Sequence, residues 1–134
     1  MNLKMILLTF LFLSTQLYAE RITITKDNIK ETNFSLKRIQ SYSGIVIYEV
    51  PATMKNHNLV GVNVTVDLKS KNPREAKMDF GPSIINTPNN DVNRKRIAFY
   101  MDQTFRKKCT CTISFMYSSS IVYDVKLDSI TPIQ

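Results

Sequence analysis

Between Val60 and Lys69 the chain alternates without a break: Val60, Val62, Val64, Val66 and Leu68 fall on one side, and Gly61, Asn63, Thr65, Asp67 and Lys69 on the other. Successive side chains of an extended chain point to opposite faces, so this pattern predicts a strand with one face for a core and one for water. The same period runs through Arg21 to Lys26, where Ile22 and Ile24 share a face, and more weakly through Phe34, Leu36 and Ile39. Gly44 to Val50 is almost entirely β-branched or aromatic, and it stops at Pro51, which has no N–H to give a ladder. Further on, Ile97, Phe99 and Met101 oppose Ala98, Tyr100 and Asp102. Cys109, Cys111, Ile113, Phe115 and Tyr117 oppose Thr110, Thr112, Ser114 and Met116. Last, Ile121, Tyr123, Val125 and Leu127 oppose Val122, Asp124, Lys126 and Asp128.

About seven strands with turn signals between them predict an all-β domain, built as an antiparallel β-sandwich of immunoglobulin-like or similar Greek-key type rather than a small barrel. One segment reads two ways. Asn72-Pro73 can cap and open a short helix, whereas Ala76, Met78 and Phe80 can face inward from an edge strand; the strand is preferred. Residues 81–93 hold two prolines, one glycine and four asparagines with no sustained period. They are expected to form the longest loop. Neither an internal repeat nor an interdomain linker is visible.

The apolar run at the start has a different character. Lys4 precedes Met5 to Leu13, and Ser14 to Ala19 is more polar and ends on a small residue. An apolar core of about nine residues is too short for a bilayer, which needs about 20, but suits an export signal. The expectation is a signal peptide over 1–19, although Leu17 fits poorly where a small residue is preferred. A single domain of residues 20–134 follows, in a periplasmic or extracellular space. Removing Lys4 with the signal leaves 17 basic and 11 acidic side chains, a net of +6. Asn33-Phe34-Ser35 and Asn63-Val64-Thr65 have the form of glycosylation acceptors, relevant only in a eukaryotic source.

Composition argues against catalysis. His57 is the sole histidine and sits in a polar turn-like stretch, so any Ser–His–Asp or Cys–His constellation would depend on it. Gly44, Gly61 and Gly81 are too far apart for a phosphate loop. Met54, His57, Met78, Met101 and Met116 with two thiols could form a soft-metal site, but methionines more often fill gaps in a core. No metal and no cofactor is expected.

Two features remain. Arg94-Lys95-Arg96 and Arg106-Lys107-Lys108 bracket one strand, and the only acid among residues 94–108 is Asp102. As one extended strand, Arg96 and Arg106 stand about 33 Å apart, which makes two basic clusters rather than one groove. These six residues are anion-binding candidates for an acidic glycan, lipopolysaccharide or a membrane surface; nucleic acid is not expected as a partner. A charged rim that protects an edge strand is the plainer reading.

Cys109 and Cys111, two apart on a strand, share a face at a Cα separation of about 6.6 Å, near the limit for a disulfide. Closing so short a loop contributes only about 1.6 kcal/mol, so the pair is either redox-active, paired between molecules, or simply two core thiols. A small exported β-sandwich with an isolated Cys-x-Cys at Cys109–Cys111 resembles the periplasmic accessory protein of curli fibre assembly. That resemblance implies an immunoglobulin-like fold and a role in escorting an aggregation-prone secreted subunit. The expected function is that of a non-enzymatic binding or assembly-accessory protein whose partner is another exported protein. The alternative is thiol–disulfide exchange at Cys109 and Cys111, or curli-type assembly.

Overall fold

The computed structural model describes residues 19–42, 45–67, 72, 77–100 and 110–127. Among the described residues the chain is all-β, without a helix. The strands are β1 (Glu20–Ile24), β2 (Lys37–Tyr42), β3 (Ile45–Pro51), β4 (Thr53–Met54), β5 (His57–Asn58), β6 (Gly61–Asp67), β7 (Lys77–Phe80), β8 (Ser83–Asn86), β9 (Arg94–Tyr100), β10 (Thr110–Met116) and β11 (Ile121–Lys126). They assemble as a five-stranded sheet in the order β1-β11-β10-β6-β7, a four-stranded sheet in the order β2-β3-β9-β8, and the small β4-β5 hairpin.

The strongest alternations are the most deeply buried strands. Val62, Val64 and Val66 of β6 and Cys111, Ile113 and Phe115 of β10 turn inward, with Val64, Ile113 and Phe115 fully buried. They pair Cys111 with Val66, Ile113 with Val64 and Phe115 with Val62, so each row presents apolar groups to the same side. Val46, Tyr48 and Val50 of β3 and Ile97 and Phe99 of β9 supply the four-stranded sheet's share of the same core cluster. Phe80 of β7 and Phe99 of β9 come from different sheets and lie with ring centroids 6.0 Å apart. Phe34, in the turn region before β2, stacks on Tyr123 at 5.4 Å and tilts against Phe115 at 5.4 Å.

Several expectations need correction. Pairing is not purely antiparallel, because β1 runs parallel to β11, with Glu20 opposite Ile121 and Ile24 opposite Val125. A parallel neighbour requires a long connection and leaves no local turn signal to read. Part of residues 81–93 is a strand: β8 pairs antiparallel with β9, Ile84 opposite Ile97 and Ile85 opposite Arg96. Four residues between turn formers are too few to show a period. The rest of that segment closes on Thr87, whose hydroxyl accepts from the Asp91 N–H at 2.7 Å and whose carbonyl accepts from the Asn90 N–H at 3.0 Å. Val60, placed on the core side by alternation, is 65% exposed, because β6 begins one residue later. Phe34 and Leu36 are buried as expected, but β2 starts only at Lys37. The preferred strand reading near residue 80 holds over Lys77–Phe80, at the edge of the five-stranded sheet; residues 73–76 lie outside the described part.

The β4–β5 hairpin turns through Lys55 and Asn56, at φ 47° and 63°. Positive φ at both central residues is the geometry of a type I′ turn, whose twist matches its flanking strands. His57 is exposed on this hairpin, while Met54, directly opposite it, is buried in the core.

Candidate binding face

The two main sheets present unlike outer faces. On the five-stranded sheet most outward side chains are polar and several are bonded to one another, while Val122 and Met116, paired in register on the same face, are sheltered from water. Arg21 donates to both carboxylate oxygens of Asp124, at 3.0 and 3.1 Å, and the Ser114 hydroxyl donates to the same carboxylate. The hydrogen bond from Arg21 and then the charge of Asp124 hold the Arg21 guanidinium above its ordinary range. Farther across, Asn63 donates to Thr65 at 3.3 Å and Thr65 to Asp79 at 2.6 Å. Asn63 thus sits mid-sheet with its amide engaged, a poor position for a glycan. Gly61 leaves room for Met116, whose Cε lies 2.7 Å from where a Cβ would stand.

The outer face of the four-stranded sheet divides into an apolar and a charged half. Register places Ile39, Ile47, Ala98 and Ser83 in one row across all four strands. Ile45 and Tyr100 form the next pair toward one end, 42% and 66% exposed. Toward the other end, Lys37, Glu49, Arg96 and Ile85 form a row, with Ile85 45% exposed. Scattered exposed apolar groups are ordinary, but adjoining ones on one sheet face are the usual mark of a contact surface.

The basic candidates on β9 are not a free anion cluster. Glu49 takes Arg96 at 3.1 Å and Arg94 at 3.7 Å, and Arg94 also donates to the Ser35 hydroxyl at 3.3 Å. Lys95 points the other way along the strand and donates to the Asn86 side-chain oxygen. Arg94, Lys95 and Arg96 are therefore the first three residues of β9, with Arg94 and Arg96 engaged across the strands by Glu49 and Lys95 by Asn86. Arg106, Lys107, Lys108 and Cys109 lie outside the described residues. Cys111 is 4% exposed, on the inward face with Ile113 and Phe115. The soft-metal idea loses Met54 to the core and His57 to solvent; Met101 and the side chain of Met78 lie outside the described part. Among the described residues no group of three His, Cys, Asp or Glu could hold a metal.

A cleft of about 550 Å³ opens between β1, the turn after it and the β4–β5 hairpin. Ile22, Pro51, Met54 and Tyr123 make its apolar wall, with Glu31 and Lys55 at the mouth. Lys55 also approaches Glu20, 3.7 Å away. Glu31, Glu20 and Lys55 are all exposed.

The residues of the apolar face escaped the sequence reading. Their signal was present at Ile45-Val46-Ile47-Tyr48, where apolar groups occupy both phases of the alternation, so that whichever set enters the core the other remains outside. The chain matches no protein-family model, no curated protein and no solved structure.

Proposed function

We propose that this chain is an exported, non-enzymatic binding or assembly-accessory protein that engages another exported protein through the outer face of its four-stranded sheet. The observation that carries the reading is the contrast between the faces: one sheet carries bonded polar groups on its outer surface and shelters its outward Val122, while the other leaves Ile45, Ile85 and Tyr100 in water. Uncovered apolar area on one face favours association, at about 25 cal/mol per Å² removed from water before the costs of docking.

The scaffold we infer is an immunoglobulin-type sandwich. Taking β1 as an addition, β2-β3-β9-β8 has the order A-B-E-D, and β6, β10 and β11 take the places of C, F and G. β7 then stands where an extra strand joins C, and the Phe80–Phe99 contact supports face-to-face packing. The escort role implied by the Cys-x-Cys resemblance belongs to the same functional class. Export rests on the apolar run of residues 5–13 in the sequence; a cut after Ala19 would fall just before β1.

Photoreactive residues test the face directly. Placed at Ile47 or Tyr100 of the full chain expressed in its native compartment, they should yield one discrete adduct. Thr65 and Thr112, on the polar face, should yield none, and Ile45→Asp should abolish the adduct from Tyr100. Equal labelling from both faces, or an adduct indifferent to Ile45→Asp, would refute the assignment.

A further inference from the structure

Among the described residues each main sheet ends in two edge strands, and an open edge is a template for another chain unless something blunts it. Three of the four edges are blunted in recognisable ways. β1 carries Glu20 and Arg21, and the Asn28 side chain donates to the Thr23 carbonyl at 2.7 Å. β2 carries Lys37 and Arg38, and its register with β3 breaks between Ile39 and Tyr42. β7, four residues long like β8, holds Lys77 and Asp79. The fourth is different. β8 is Ser-Ile-Ile-Asn, without a charge, and its register with β9 is unbroken from Ser83 to Asn86. Among the described residues it pairs with β9 alone. Ile85 stands on this edge and on the exposed face at once.

We propose that β8 is a strand-addition site, at which an extended segment of an exported partner polypeptide pairs with the open edge and lays apolar side chains beside Ile85. The inference rests on the binding role proposed above and specifies the partner's form. Main-chain pairing supplies the contact, and alternate side chains supply selectivity.

Charge restricts the segment further. The row that ends at Ile85 holds Lys37 and Arg96 against the single Glu49 carboxylate, which Arg94 of the neighbouring row also shares, so this end of the sheet keeps a net positive charge, with Lys95 at the adjoining position opposite Asn86. The mature chain is itself basic, so the segment that fits has β-branched residues along the edge and an acidic residue near Arg96. A second copy of this chain would bring like net charge to that spot.

The probe is a synthetic peptide of roughly eight residues, an ordinary strand length, alternating valine and threonine with a glutamate at each end. Its twin is N-methylated at every second residue, which keeps the side chains and removes the N–H groups of one edge. With the mature full-length protein at low salt, the plain peptide should bind and slow amide exchange within Ser83–Asn86. The twin should bind at least about tenfold more weakly, and Ile85→Lys should lower affinity by a similar factor. Equal affinity for both peptides, with slowed exchange only near Ile45 and Tyr100, would mean docking on the face; strand addition would fall and the binding role would stand. Absence of any peptide binding also overturns strand addition, and leaves the crosslinking experiment to judge the face independently. A dimer in sedimentation whose β8 amides are already protected without peptide would assign the edge to a second copy and overturn the proposal as well.

Discussion

Tyr117 shows how one buried polar atom is tolerated. The ring is fully buried at the end of β10, meets Tyr123 edge to face at 5.6 Å, and donates its hydroxyl to the Pro51 carbonyl at 2.7 Å. That bond ties the five-stranded sheet to the end of β3. Tyr117→Phe leaves the carbonyl without this donor and should lower stability by about 1 kcal/mol at neutral pH, read from urea unfolding. Burial, and then the neighbouring Tyr123, pushes the Tyr117 hydroxyl above its ordinary value of 10.0. Above that value the unfolded chain releases a proton that the folded chain keeps, so stability is intact below it and declines as pH rises further. Tyr117→Phe removes this decline. The gap between wild type and variant should therefore narrow between about pH 9 and pH 11; a gap that widens or stays constant would contradict the burial argument.

At the scale of elements, β3 decides how the four-stranded sheet meets its surroundings. Val46, Tyr48 and Val50 enter the core, while Ile45, Ile47 and Glu49 remain outside. Glu49 is the acceptor that holds Arg94 and Arg96 across the strand, and all three side chains are partly sheltered, at 14%, 38% and 22% exposure. Glu49→Gln removes the charge and keeps the shape. It should cost about 1 kcal/mol, since such partly screened pairs are worth little more. The freed guanidinium groups should raise the salt needed to elute the protein from a sulfated resin. Unchanged elution would show that β9 contributes nothing to anion binding even when released.

For the whole molecule, the question is how the two sheets are joined. The Phe80–Phe99 contact crosses between them, so a double-mutant cycle with leucine at each position should give a coupling of about 0.5–1.5 kcal/mol. Additive effects would argue against face-to-face packing. The same cycle within one sheet, at Phe115 and Val62, is a control, because those residues are direct cross-strand partners.

How much of this was legible depends on how many residues carried each signal. The long alternations of β6, β10 and β11 announced both an all-β chain and its inward residues, since burial on one face requires period two wherever the strand is long. Local chemistry likewise marked the exposed turn around His57 and the proline that ends β3. Three things stayed hidden, each decided by residues far apart in sequence. The parallel pairing of β1 with β11 joins segments about a hundred residues apart. β8 is a strand because β9 offers it an edge, and four residues cannot establish a period alone. The paired state of Arg94 and Arg96 depends on Glu49, which only the β3–β9 register brings opposite them. The sequence by itself determined which side chains needed shelter; the tertiary structure decided which apolar and charged groups found a neighbour and which were left facing water, because hydrophobic burial follows local pattern while neighbours across a sheet are set by chain topology.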